Sequence, residues 1–293
     1  MKYLVVIFLF VLAASPVFAN PFSGGDGSPE NPFLISSRKD LKTMADSMSI
    51  VIWQNPPIYH ELCFKHYKVT RNIRDSVRDV IFNFAGVFDG QGYKITLAID
   101  KTKEQSNAAL FDFVRGNAII KNVVLDGYVK NSFEMSQLSA GLVVNIMCEG
   151  WTFDDPGCKN NVQIINCVNL AKITGRSATG IVTSFQPPGI ISGCINLGAM
   201  NSDYSGSSGI LNSIATGRGN YVMNCINSGF IYGHNVWNDG NGWRYGTGGI
   251  ASRIFDNGFY PGGPDNIYTI FNSINTGIVR GLGRIWGVGP TKK

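Results

Sequence analysis

The sequence predicts an all-β protein, a right-handed parallel β-helix closed at its N-terminal end by a capping segment that contains a short helix. Three observations predict it. First, two short patterns alternate along the chain. One is a small-Gly-aliphatic strand, at Ala140-Gly141-Leu142-Val143, Thr179-Gly180-Ile181-Val182, Ser208-Gly209-Ile210-Leu211 and Gly248-Gly249-Ile250-Ala251, with a weaker copy at Trp286-Gly287-Val288-Gly289. The other opens on an apolar pair and brings in an Asn. Its copies are Ile119-Ile120-Lys121-Asn122-Val123, Ile164-Ile165-Asn166-Cys167-Val168-Asn169, Ile190-Ile191-Ser192-Gly193-Cys194-Ile195-Asn196, Tyr221-Val222-Met223-Asn224-Cys225-Ile226-Asn227 and Ile270-Phe271-Asn272-Ser273-Ile274-Asn275. Second, the aligned positions 122, 166, 193, 224 and 272 are 44, 27, 31 and 48 residues apart. Units of such unequal length suit a coil whose corners accept insertions, and not a propeller or leucine-rich repeat. Third, 35 Gly and 27 Asn in 293 residues make a chain that turns often, while 44% hydrophobic and 15% charged residues exclude disorder.

Taken in order, residues 1–19 carry the marks of a secretory signal peptide. Met1-Lys2 is a positive start, Leu4 to Ala14 an apolar run, and Val17 and Ala19 the small residues before cleavage. The run is shorter than the roughly 20 residues a membrane span needs, and no later stretch is apolar enough, so no transmembrane segment is expected in the mature chain. Residues 20–82 form the N-terminal cap segment. Asp40-Leu41-Lys42-Thr43-Met44-Ala45 has apolar residues at helical spacing, and a helix over Lys39 to Met48 suits the covering of an open end coil. The alternating stretch Phe64 to Ile73 is expected to be a strand. Residues 83–289 are the β-helix repeats, and 290–293 a short tail. Each repeat predicts three short strands, the third ending in Gly as in Lys172-Ile173-Thr174-Gly175, with Gly or Asn corners between them.

In such a coil equivalent residues stack about 4.8 Å apart. Asn169, Asn196, Asn227 and Asn275 then form one column whose amides bond along the stack. Cys167, Cys194 and Cys225 share a position held elsewhere by Val123 and Ser273, an inward slot where Cys acts as a small hydrophobe. No His or paired CxxC joins them, so no metal is predicted, and nothing in the chain calls for a cofactor. Cys148 and Cys158 bracket a polar loop. In an exported protein they are either a disulfide or two free thiols, and spacing leaves both open. Cys63 is left without an evident partner.

Three stretches carry a family likeness. They are Gly27-Ser28-Pro29-Glu30-Asn31-Pro32-Phe33-Leu34-Ile35-Ser36 with the helix after it, Phe84-Ala85-Gly86-Val87-Phe88-Asp89-Gly90-Gln91-Gly92-Tyr93-Lys94-Ile95, and Ala109-Leu110-Phe111 through Ile120-Lys121-Asn122-Val123. They resemble the GLUG-motif proteins, exported bacterial proteins built from such repeats. The likeness spans 24–289 and is closest up to about 127. It implies a right-handed β-helix and an exported, often surface-associated, adhesin-like role, and it implies no catalytic residue. The expected location is therefore secreted, on the cell surface or in the periplasm of a bacterium.

Function classes narrow further. Net charge is +5, or +4 once Lys2 is removed with the leader, without basic clusters, which argues against nucleic acid as a partner. A glycoside hydrolase needs two carboxyls roughly 5–9.5 Å apart, and a calcium-assisted lyase needs carboxylates on adjacent rungs. Asp154-Asp155 sits in an insertion, His234 lies strands away, and the rung positions hold Asn, Cys, Ile and Gly. A polysaccharide lyase or glycoside hydrolase is therefore the alternative, and a non-catalytic binding or surface-interaction module the primary reading. Its candidate site is the corner after the small-Gly-aliphatic strand, long at 145–161 and 252–266 and short between. Trp151, Phe153, Asp154 and Asp155 stand on one wall, Arg253 and Tyr260 on the other, and Phe185 and Arg218 on the floor. Aromatic faces with acids and amides fit a glycan, or a cell-surface protein. The alternative is that these aromatics fold back to cover the rungs.

Overall fold

A computed structural model describes residues 20–52, 58–104, 106–131, 137–147, 161–186, 188–202, 206–215, 220–234, 246–255, 269–282 and 285–287. It is an all-β solenoid whose stacked strands are parallel, with one α-helix among the described residues, α1 (Arg38–Met48).

One coil shows the plan. The chain runs Val162–Ile165 in sheet I, Val168–Asn169 and Lys172–Gly175 in sheet II, Ala178–Thr179 in sheet III and Val182–Phe185 in sheet IV, then re-enters sheet I at Gly189–Ser192. Each coil thus holds five short strand segments, where the sequence predicts three. One extra segment arises because the small-Gly-aliphatic motif bends at its Gly, which splits it between sheets III and IV, and the other because the apolar-pair motif turns at its Asn from sheet I into sheet II. Sheet I stacks eight strands in chain order, starting with Phe33–Ile35 and His66–Val69, so parallel stacking begins within the N-terminal cap segment. The predicted strand Phe64 to Ile73 is interrupted. A 3-10 turn, Glu61–Phe64, precedes strand His66–Val69, and after a corner the chain continues as Ile73–Val77.

The N-terminal end is closed by α1, which buries Leu41, Met44, Ala45 and Met48. Ser37 and Asp40 form a capping box, and the buried Asp40 carboxylate also accepts from Ser23 Oγ at 2.9 Å and Ser36 N at 3.0 Å. This ties the segment at Ser23 to the helix and offsets the burial of a charge. Below it lies an aromatic stack, with Phe22 and Phe33 4.4 Å apart, Tyr67 and Phe84 6.1 Å, and Phe84 and Phe111 5.1 Å between ring centroids.

Farther along the axis the core changes to aliphatic, thiol and amide columns. Asn169 Nδ2 donates to Asn196 Oδ1 at 2.8 Å, Asn196 to Asn227 at 2.7 Å, and Asn227 to Asn275 at 2.6 Å. Each Nδ2 also donates to the carbonyl two residues on, those of Ala171, Gly198, Gly229 and Gly277. The amides thereby satisfy backbone groups that the bend in sheet II leaves without ladder partners. Glycine is required beside them. A Cβ on Gly229 would lie 2.0 Å from Gly198 O and 2.6 Å from Asn196 Nδ2, and one on Gly180 would lie 2.6 Å from Asn196 Oδ1. Ala171 keeps its Cβ because its coil stacks on Leu125, not on an amide. A second polar seam joins sheets III and IV. Thr183 Oγ1 donates to Ser139 O at 3.1 Å, Ser207 Oγ to Ala178 O at 2.9 Å, and Ser252 Oγ to Asn212 O at 2.7 Å.

The other Asn column serves the backbone differently. Asn122, Asn166, Asn224 and Asn272 have φ of 55°, 53°, 54° and 49°, with Gly193 at 64° in the same place. A single left-handed residue turns the chain from sheet I to sheet II, and Asn is the non-Gly residue that tolerates it best.

The two columns should respond differently to mutation. Asn196→Ala strands the amides above and below it and should lower unfolding free energy by about 2–4 kcal/mol in urea titration. Asn224→Gly should stay within about 0.5 kcal/mol of wild type, whereas Asn224→Val should lose about 1–2 kcal/mol to backbone strain.

Candidate functional site

The four short strands Val143–Ile146, Val182–Phe185, Leu211–Ala215 and Ala251–Phe255 follow Phe111–Val114 in sheet IV, all parallel and in register. All four connections from sheet IV to sheet I that follow them leave the same corner. Those after Ile146 and Phe255 are long, those after Phe185 and Ala215 short. The strands that launch the long connections are three steps, about 14 Å, apart.

Of the predicted ligand-contacting residues, Trp151, Phe153, Asp154, Asp155, Arg218 and Tyr260 lie outside the described residues, as do Cys148 and Cys158. Arg253 is placed by its backbone only, opposite Ser213. Phe185 is a correction. It is fully buried, with 0% exposure, and it pairs with Ile146 and Ile214. The strand extends two or three residues past the point where the sequence pattern ends it, and alternation then turns Phe185 into the core. It cannot line the floor of a groove. The outward positions of these strands are Phe113, Asn145, Ser184 and Ser213, all half-buried. A signal for them was available. Val-Val-Asn-Ile, Val-Thr-Ser-Phe, Leu-Asn-Ser-Ile and Ala-Ser-Arg-Ile repeat a large apolar residue at the fourth place, which marks a strand one pair longer.

The ladder residues are placed inward. Asn169, Asn196 and Asn227 are fully buried and Asn275, on the last coil, half-buried. Cys167, Cys194 and Cys225 stack as buried free thiols, and each Sγ donates to a neighbouring carbonyl, as Cys194 does to Ser192 O at 3.5 Å. Burial holds the Cys194 thiol well above its ordinary range, and hydrogen bonding with Cys194 together with burial does the same for Cys225. Cys63, also buried and free, is raised to about 11 by burial. Such thiols are poor nucleophiles. Among the described residues no three His, Cys, Asp or Glu come together as a metal-holding group, and no helix is long and apolar enough to cross a membrane.

Two carboxylates near the first coils are distinctive. Asp89, in the Phe-Asp-Gly-Gln-Gly corner, accepts from Gln91 N and Asn122 Nδ2 at 3.0 Å each, and its Oδ2 lies 3.3 Å from Lys121 Nζ. Burial works to raise its pKa, but these partners together hold it below the usual carboxylate value. Asp112, on sheet IV, is 3% exposed and accepts from Asn107 Nδ2 at 2.9 Å and Asn145 Nδ2 at 3.3 Å. Its partners are neutral amides, and burial outweighs them, raising its pKa to about 6. A carboxyl tuned this way suits a general acid, yet Asp112 is enclosed in the seam between sheets III and IV and hydrogen-bonds to no second carboxyl.

The outer face of sheet I and of the adjoining first strands of sheet II is apolar and uncharged over the later coils, while Lys172 and Arg280 stand exposed on the second strands of sheet II. Val168, Ile195, Ile226 and Ile274 form one outward column, flanked by Leu197, Met223 and Phe271. Ile226 is 37%, Leu197 50% and Ile274 56% exposed. Asn166, Asn224 and Asn272 line the corner beside them, exposed.

No family model and no curated protein matches the chain. Among solved structures it is similar to a "putative immunoglobulin A1 protease" from Bacteroides ovatus, at 12% identity and a TM-score of 0.46, over 92% of this chain and 87% of that one.

Asp112 gives a pH prediction. Its folded pKa, about 6, exceeds the unfolded carboxyl value near 4. The folded state therefore binds its proton more tightly. The stability it contributes is complete below pH 4 and is lost as pH rises through 6. Asp112→Asn keeps the acceptor oxygen and removes the buried charge. It should stabilise the protein by about 2–3 kcal/mol at pH 8, with little change at pH 4, in denaturant titrations at both values.

Proposed function

We propose that this chain is an exported, non-catalytic binding module of the adhesin-like kind, which recognises glycans or a cell-surface protein through the corner between sheets IV and I. The observation that carries this reading is how the coils use their side chains. Inward positions are committed to the thiol column, the amide ladder and the aliphatic core, with Cys194, Asn196 and Ile191 fully buried in a single coil. Outward positions of sheet IV offer amide and hydroxyl groups, Asn145, Ser184 and Ser213, at a fixed spacing. A rigid rail of neutral hydrogen-bonding groups between two long connections suits recognition of sugar hydroxyls better than it suits bond cleavage. Three described carboxylates of the coils are engaged structurally. Asp89 and Asp126 are in ion pairs with Lys121 and Lys94, and Asp112 is buried between amides.

Export is supported by the leader-like sequence of residues 1–19, and the adhesin-like role by the resemblance of Phe84 to Ile95 and its neighbours to the GLUG-motif proteins. The alternative, a polysaccharide lyase or glycoside hydrolase, would draw its acids from the insertion that carries Asp154 and Asp155.

A glycan array and cell-wall retention assay tests the binding reading. Retention should fall at least about tenfold in the Trp151→Ala/Tyr260→Ala double variant and about threefold in Ser184→Ala/Ser213→Ala, each hydrogen bond contributing about 1 kcal/mol. Release of reducing ends or unsaturated products from a polysaccharide panel, abolished by Asp154→Ala/Asp155→Ala, would replace the module with the enzyme.

A further inference from the structure

The apolar outer face of sheet I and the adjoining first strands of sheet II has no role in the reading above. Its centre is the in-register column Val168, Ile195, Ile226 and Ile274. Every member is β-branched, so the column is a stiff, flat ridge with little side-chain freedom to lose on contact. Leu197, 50% exposed, extends it on one side. On the other side Met223 and Phe271 extend it across the corner, and Tyr221 meets Phe271 edge to face at 6.5 Å. An exposed apolar surface of this continuity marks a site of association.

We propose that this face is covered by the same face of a second copy of the chain, forming a twofold dimer of packed sheets. Three features select that occupant. The first is charge. Charged side chains bordering the ridge on the first coils are already paired within the chain, Lys94 with Asp126 at 3.0 Å and Lys121 with Asp89 at 3.3 Å. Lys172 and Arg280 stand on the second strands of sheet II, off the ridge. The ridge itself thus carries no charge that would select an acidic or basic partner, and a neutral apolar ridge complements itself. The second is area. Four to five strands about 4.8 Å apart and about six residues of outward chain give roughly 500 Å² per copy, or about 1,000 Å² for the pair. That reaches the lower bound for a specific protein interface. The third is shape. A shallow twisted sheet with a regular ridge is what packs on another sheet at about −30°, ridges interleaved at about 10 Å separation.

The dimer leaves the outward column of sheet IV, Asn145, Ser184 and Ser213, free on both copies. A low-affinity glycan site would then be presented twice on one rigid body, and avidity would raise retention on a repetitive surface without new contacts. The dimer does not depend on what that corner binds.

Sedimentation equilibrium of the mature chain from about 1 to 200 µM tests it. The weight-average mass should rise from one to two chain masses, with a midpoint in the micromolar range that an interface of this size supports. Ile226→Lys/Ile274→Lys should hold the protein monomeric, with an unchanged circular dichroism spectrum. Ile226→Thr, which keeps the β-branched shape, should weaken association about tenfold. Ser184→Lys, on sheet IV, should dimerise like wild type. A wild-type chain that stays monomeric at every concentration, or a lysine double variant that still dimerises, overturns the proposal. So does a monomer whose glycan retention disappears in the lysine variant, because the face then belongs to a ligand.

Discussion

A buried amide that must find hydrogen-bond partners in every coil constrains more of this protein than any other single group. The side chains of Asn169, Asn196, Asn227 and Asn275 point into the core, where an unsatisfied amide costs several kcal/mol. Stacking in register solves this, since each Nδ2 reaches the next Oδ1 and a local carbonyl together. That solution then dictates the neighbours. The Gly two residues after each Asn must lack a Cβ wherever the coil beneath carries an amide, and so must the Gly of the small-Gly-aliphatic strand across the core. Two motifs that look independent along the chain are the two sides of one ladder.

The solenoid changes strategy along its axis. At the N-terminal end aromatic rings from Phe22 to Phe111 fill the core and α1 closes it, with Asp40 holding the segment at Ser23 to the helix. In later coils the rings give way to thiols, aliphatics and amides, whose small and repeated sizes allow identical residues to stack. The left-handed Asn corner between sheets I and II recurs from Asn122 to Asn272 through both regimes. Backbone geometry is thus kept constant while core chemistry varies. This separation explains how repeats 27 to 48 residues long can share one coil, the extra residues leaving at corners.

Function follows from what this leaves over. With inward positions committed, recognition falls to outward columns and to connections. The outward columns differ by face, with amide and hydroxyl groups on sheet IV and an apolar, uncharged ridge across sheets I and II. One face is suited to hydroxyl-rich ligands and the other to another sheet. Buried groups such as Asp112 and the Cys167–Cys225 column tune stability and stay closed to solvent chemistry.

Periodicity alone determined the coil, the helix at its N-terminal end, the inward Asn and Cys columns and the shared corner of the long insertions. These are one-dimensional facts, because a repeated residue type at a repeated place is a column once the chain coils. Where each strand stops was decided only by the tertiary structure. The bend at Gly141, Gly180, Gly209 and Gly249 splits one motif between two sheets, because packing against the Asn amides forces a Gly there. The extension of sheet IV to Phe185 places that ring inside, opposite Ile146, and removes it from any groove. The sequence placed Phe185 in a corner since local pattern ends at Val182. Pairing with Ile146 and Ile214, 39 and 29 residues away, keeps the strand going, and along the chain it shows only as the large apolar residue that recurs at the fourth place. The seam between sheets III and IV and the pairing of Asp112 with Asn107 and Asn145 were likewise settled by contacts across coils, where side chains distant in sequence share one buried space.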